Sequence, residues 1–178
     1  MADKPKDLLL GTAKVVIVLS QIVIIFAMVM LGIGIGAMLT VGQAELMAEI
    51  ATSGAPAASF WLIALALLTG IALLALAFRF LRELRGIIDS VDAGDPFRPN
   101  NADRLNRMGW IAVIGQLGIL PIAGLALWLA PYADKVDHAV DIDGGLDGGV
   151  ILLTLILFIL ARVFRRGAEM REELEGTV

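Results

Sequence analysis

The sequence predicts an all-α, polytopic membrane protein, a four-helix transmembrane bundle with N and C termini cytoplasmic. Three observations carry this. First, of 178 residues 58% are hydrophobic and 18% charged, against about 25% charged in ordinary globular chains. Second, the charges are clustered, so residues 15–44, 50–78, 108–133 and 148–161 carry none. Uncharged apolar runs of about 18 residues or more read as membrane helices; the first three exceed that length, the fourth approaches it, and all lack the polar face of a soluble core helix. Third, once four spans are drawn, all of the 14 Lys and Arg residues except Lys135 fall on one side. Basic residues mark the cytoplasmic side. The chain reads as a single membrane domain.

Residues 1–14 are polar, with Lys4, Lys6 and Lys14. The first span, residues 15–39, is too long for the apolar region of a cleavable signal sequence, about 7–15 residues, and is expected to stay as an anchor. Within it Gly32 and Gly36 form a GxxxG pair that lets another helix approach closely. We read this as close packing within the bundle ahead of a dimer seam. Residues 40–59 make the first external loop. Residues 43–52 suit one or two helical turns there, ended by Gly54 and Pro56.

The second span, residues 60–80, runs into an amphipathic extension. Phe80, Leu81, Leu84, Ile87, Ile88 and Val91 recur at helical spacing, with Arg82, Glu83, Arg85 and Asp89 between them. Gly94, Asp95 and Pro96 stop it. Asn100 or Asn101 is the expected N-cap of the next helix, with Asp103 in its first turn against the positive helix end. The segment 81–109 is therefore cytoplasmic. The third span, residues 110–129, has Trp110 at one end and Trp128 with Tyr132 at the other, where interfacial aromatics belong. Pro121 predicts a kink. The second external loop, residues 130–147, sets Asp134, Asp137, Asp141, Asp143 and Asp147 against Lys135. The fourth span, residues 148–164, is short. Arg162 is expected to snorkel to the interface, and the polar tail extends the last helix.

Much chemistry is excluded by inventory. There is no cysteine, and the one histidine is His138. Asp141, Asp143 and Asp147 faintly resemble a calcium loop but lack its full ligand series and closing Glu, so they read as a solvated acidic loop. His138 beside Asp137 and Asp141 reads as an exposed loop residue. No metal, cofactor or catalytic set is expected. Ser20, Gln21, Gln116 and Thr154 read as interhelical hydrogen-bonding residues, and no carboxylate lies deep in a span to relay protons or cations. The central segment sets Arg79, Arg82, Arg85, Arg98, Arg104 and Arg107 against Glu83, Asp89, Asp92, Asp95 and Asp103. That balance is too near neutral for direct nucleic-acid binding.

Two stretches carry a resemblance. One holds Gly94, Pro96 and Phe97, then Asn101, Ala102, Arg104 and Leu105. The other holds Val163, Phe164 and Gly167, then Glu172 and Glu173, and ends in Thr177 and Val178. With four spans around them, they resemble the YoaS-like family of small bacterial membrane proteins, a domain-of-unknown-function family. The resemblance implies a bacterial inner membrane location. It also implies, by gene association only, a membrane component paired with a helix-turn-helix regulator. It transfers no activity.

The expectation is a non-enzymatic inner-membrane protein in contact with the lipid bilayer. It docks or sequesters a cytoplasmic partner, such as a helix-turn-helix regulator, through residues 93–108 and the tail after Phe164. The candidate docking residues are Phe97, Arg98, Asn101, Arg104, Phe164, Arg165, Glu172 and Glu173. Phe97, set between helix breakers, and the amphipathic face beside it favour a protein surface. The alternatives are a small channel, transporter or receptor for a hydrophobic ligand, and a structural homo-oligomer joined near Gly32 and Gly36. The orientation is directly testable: a topology reporter fused after Val178 is expected to report cytoplasm, and an external readout overturns it.

Overall fold

A computed structural model describes residues 8–132 and 147–175. The elements in order are α1 (Leu8–Thr40), α2 (Gln43–Ser53), α3 (Ser59–Asp92), α4 (Pro99–Gly118), α5 (Leu120–Leu129), a 3-10 turn (Ala130–Tyr132) and α6 (Gly148–Glu175). No strand occurs among the described residues. Lys4, Lys6, Lys135, His138, the acidic residues of 134–143, Thr177 and Val178 lie outside them.

Among the described residues four helical stretches, with α4 and α5 counted together, are long and apolar enough to cross a membrane. Their most apolar windows are only 6–11% buried by the chain itself. Phe26, Trp61, Leu127 and Ile159 are among the large side chains left exposed. Such a surface is a liability in water but is what a bilayer covers, and α-helices satisfy their own backbone polar groups there. The chain is a multi-pass membrane protein. At about 1.5 Å per residue, the uncharged part of α3 spans a hydrocarbon core of about 30 Å, and residues 79–92 continue about 20 Å further.

Neighbouring helices are α1 on α3, α3 on α4, and α4 on α6. The pairs Ser90 with Asn101 and Glu83 with Arg107 run α3 and α4 antiparallel. Asp103 with Arg165 and Gly109 with Phe158 do the same for α4 and α6. The core is Leu105 and Met108 of α4 with Leu157 and Ala161 of α6, flanked by Phe80, Leu84, Ile87 and Phe164. It therefore lies toward the end of the molecule that bears the arginines. Small residues set the spacing: a Cβ at Gly109 would sit 2.7 Å from the Phe158 ring, and one at Gly118 would sit 2.9 Å from Leu73.

Several local expectations are corrected. The N-cap of α4 is Arg98, not Asn100 or Asn101, and the helix starts at Pro99. Proline suits the first helical position, where no N–H is needed, and forces the preceding residue into the extended conformation that Arg98 adopts (φ −66°, ψ 138°). Asp103 consequently falls beyond the first turn and serves α6 instead. α2 has 11 residues, three turns rather than one or two, and ends on Gly54 in the left-handed region at φ 76°. Pro121 interrupts the helix at Ile119, so α4 and α5 are separate pieces. Among the described residues the GxxxG face packs on nothing, because a Cβ at Gly32, Gly34 or Gly36 would meet nothing within 4 Å. That contradicts the reading of close intrachain packing there.

The glycines are thus unequal. Gly109→Val should cost about 1–3 kcal/mol by overpacking against Phe158. Gly32→Ala should change stability by no more than about 0.5 kcal/mol. Unfolding of both variants in mixed micelles checks the contrast, and equal effects would refute it.

Candidate functional site

The arginine-bearing end is built outward from the C-terminus of α3. Gly94 adopts φ 79°, a left-handed conformation that glycine takes without strain. Its N–H donates to the Val91 carbonyl at 2.9 Å, and the Asp95 N–H donates to the Ser90 carbonyl at 3.0 Å. This pair of bonds is a Schellman closure, and it reverses the chain into the turn 93–98.

Asn101, only 1% exposed, fastens the turn. Its amide donates to the Ser90 hydroxyl oxygen and, at 2.8 Å, to the Pro96 carbonyl. The Ser90 hydroxyl in turn donates to the Ile87 carbonyl at 2.7 Å. One buried amide thereby ties α3, the turn and α4 together. One turn further on, the Arg104 guanidinium lies over Gly86 and fills the space where any Cβ at that position would stand. Arg104 makes no ion pair among the described residues.

α6 closes against this assembly. The Phe97 ring packs on Phe164 with centroids 5.3 Å apart, and a Cβ at Gly167 would sit 2.9 Å from Phe97 Cδ1. Ion pairs surround the contact. Arg98 donates to Asp95 at 2.9 Å, Arg171 reaches the other Asp95 oxygen, and Arg165 donates to Asp103 at 3.0 Å. On the opposite flank Arg107 meets Glu83 at 3.1 Å. Lys14 of α1 sits 2.9 Å from Asp89 and 2.8 Å from Asp92. The starts of α1 and α4 and the ends of α3 and α6 therefore meet at one end of the molecule.

The family described as "Protein of unknown function (DUF2975)" matches residues 38–178. The chain belongs to that family. This agrees with the expected domain-of-unknown-function membrane family, although the match carries no YoaS-like designation. No curated protein and no solved structure matches the chain. The part shared with DUF2975 begins near the end of α1 and includes the whole Asn101 and Phe97 assembly, but not Lys14.

Of the candidate residues, Phe97, Arg98, Asn101, Arg104, Phe164 and Arg165 are all drawn into this DUF2975 assembly, as partners of one another or of neighbouring residues. Glu172 and Glu173 lie exposed beyond it on the last turns of α6. Sequence reasoning missed the receiving positions: Ser90, Gly86, Asp95 as the shared acceptor, and the Lys14 clamp. Glycine inside an otherwise strong helical pattern costs about 1 kcal/mol, so Gly86 and Gly167 were readable signals of close approach. Among the other polar candidates, Thr154 donates to the Val150 carbonyl of its own helix at 2.8 Å. Asp147, considered as a calcium ligand, instead accepts the Gly149 N–H at 2.7 Å at the start of α6. Among the described residues no His, Cys, Asp and Glu cluster could hold a metal ion.

The Arg98 guanidinium, assisted by Arg171 and opposed by partial burial, holds the Asp95 carboxyl below its ordinary value of 3.8. A lowered carboxyl contributes stability above its unfolded value and loses it as pH falls through the folded one. Spin labels replacing Asn100 and Glu169 should therefore keep a narrow distance distribution at neutral pH and broaden below about pH 4. Asp95→Asn should broaden it already at pH 7. A distribution unmoved by either change refutes the role of this clasp.

Proposed function

We propose that this is a non-enzymatic inner-membrane protein whose arginine-bearing end faces the cytoplasm and docks a protein partner. A helix-turn-helix regulator is the partner class that the YoaS-like resemblance implies. Sequestration at the membrane is the mechanism. One observation carries the reading: an apolar stripe stands out of a charged, fastened surface. Phe97, 45% exposed, lies over Gly167, and Met170 and Leu174 follow on α6 at helical spacing, Leu174 being 71% exposed. Spacing of i, i+3 and i+7 is the pattern by which one helix offers apolar anchors to another surface. Glu172, Glu173 and Arg166 flank the stripe, and a charged rim around an apolar centre suits a specific interface.

The sequence inventory supports a non-enzymatic role, since it lacks cysteine and its one histidine lies in an external loop by the expected topology. A second reading has an observation of its own. An apolar groove of about 400 Å³ lies between α3, α4 and α6, lined by Leu73, Phe80, Ile111 and Val150, with Gln116 as its amide. Its size lies in the range of small-molecule sites, which favours a hydrophobic-ligand receptor over a channel.

The test is co-purification of a helix-turn-helix protein with the tagged full-length chain from detergent extract. Met170→Asp with Leu174→Asp should abolish retention. Phe97→Ala should weaken it by about tenfold, as loss of a central aromatic does. Retention unaffected by all three changes, or no such protein retained, counts against docking. A non-lipid molecule recovered with the protein and lost in Gln116→Leu would favour the receptor reading.

A further inference from the structure

A second surface, on the flank where α6 leaves the apolar region beside α4, has different chemistry. A groove of about 380 Å³ is lined by Phe158, Ala161, Arg162, Arg165, Arg166 and Glu169 of α6 and by Asn106 of α4. Residues 158, 162, 165, 166 and 169 recur at helical spacing, so they form one face of α6. Phe158 and Ala161 are its apolar lining, and three guanidinium groups face one carboxylate and one amide.

The rim charges are not consumed internally. Arg165 is shared with Asp103 at 3.0 Å. Arg162 and Arg166 make no ion pair or hydrogen bond among the described residues, and neither does the half-buried Asn106 amide. Membrane position is set by neighbours. Phe158 packs edge-on against Trp110 at 5.8 Å, and an indole of this kind marks the level of lipid headgroups. Arg162 follows one turn beyond Phe158. The uncharged part of α6 before it, residues 148–161, measures about 21 Å against a hydrocarbon core of about 30 Å. So short a helix holds its first charges against the interface.

We propose that this groove binds the phosphate of an anionic phospholipid. Arg162 and Arg166 hold the phosphodiester from two sides, and the Asn106 amide donates a further hydrogen bond. An acyl chain lies along Phe158 and Ala161. A phosphate accepts several charge-assisted hydrogen bonds from planar guanidinium groups, which makes this donor set fit it. Phe158 and Ala161 in the same lining suit a lipid over a soluble phosphate, which has no chain to place against them. The site shares Arg166 with the rim of the Phe97 stripe but none of its apolar anchors, and neither proposal depends on the other.

The full-length protein in detergent, titrated with phosphatidylglycerol or phosphatidylcholine and read by native mass spectrometry, tests this. Wild type should retain phosphatidylglycerol in preference to phosphatidylcholine. R162Q with R166Q should weaken phosphatidylglycerol binding by about twenty-five-fold, a factor of about five for each basic residue. R79Q with R82Q, two arginines that also make no ion pair among the described residues but lie outside the groove, should leave it unchanged. E169Q, which removes the one carboxylate of the rim, should tighten it. Equal loss in the two double variants, no headgroup preference, or no response to E169Q overturns the proposal. Displacement of bound lipid by inorganic phosphate or glycerol 3-phosphate would assign the groove to a soluble phosphate and overturn the lipid reading.

Discussion

The arginine-bearing end depends on one buried amide. Asn101 offers two N–H donors, and both are used, one on the Ser90 hydroxyl and one on the Pro96 carbonyl. An apolar side chain there would leave the half-buried Pro96 carbonyl without this donor, at a cost of about 1 kcal/mol. The amide reaches these partners because Pro99 starts α4 and so puts Asn101 at the third helical position, facing back along the turn. Fixing the turn fixes the direction of Phe97, which packs on Phe164 and over Gly167 of α6.

The residues behind the family resemblance acquire a geometric meaning from this. Three of them meet a small or polar receiver on another element: Phe97 on Gly167, Arg104 on Gly86, Asn101 on Ser90. The motif describes how the central turn holds the last helix. Phe97 and Arg104 are thereby partly occupied within the chain, and the surface left for another molecule moves outward along α6 toward Met170 and Leu174.

Charge and apolar packing divide the work. The ion pairs at this end are solvent-exposed or nearly so, and such pairs contribute about 0–1 kcal/mol each. They set register between helices, as Lys14 does for α1 and Arg165 for α6. Packing comes from Leu105, Met108, Leu157 and Ala161, where the glycine at 109 lets α4 and α6 approach. Arg162 and Arg166, which make no ion pair among the described residues, follow one and two turns beyond the Phe158 and Trp110 contact.

The sequence by itself determined the four long helices, their approximate ends, the stop at Gly94 and the break near Pro121. These follow from local causes: uninterrupted apolar runs, the conformational freedom of glycine, the missing N–H of proline. It also determined that both helix ends rich in arginine would be of one kind. What only the tertiary structure decided was partnership. Asn101 reads locally as an N-cap, yet its amide is spent eleven residues back, on α3. Asp103 reads as a helix-start carboxylate, yet it meets Arg165, sixty-two positions away. The GxxxG pair reads as a packing seam and faces nothing among the described residues. Side-chain pairing across helices depends on rotation and register between rods, and a pattern along one rod carries no information about either.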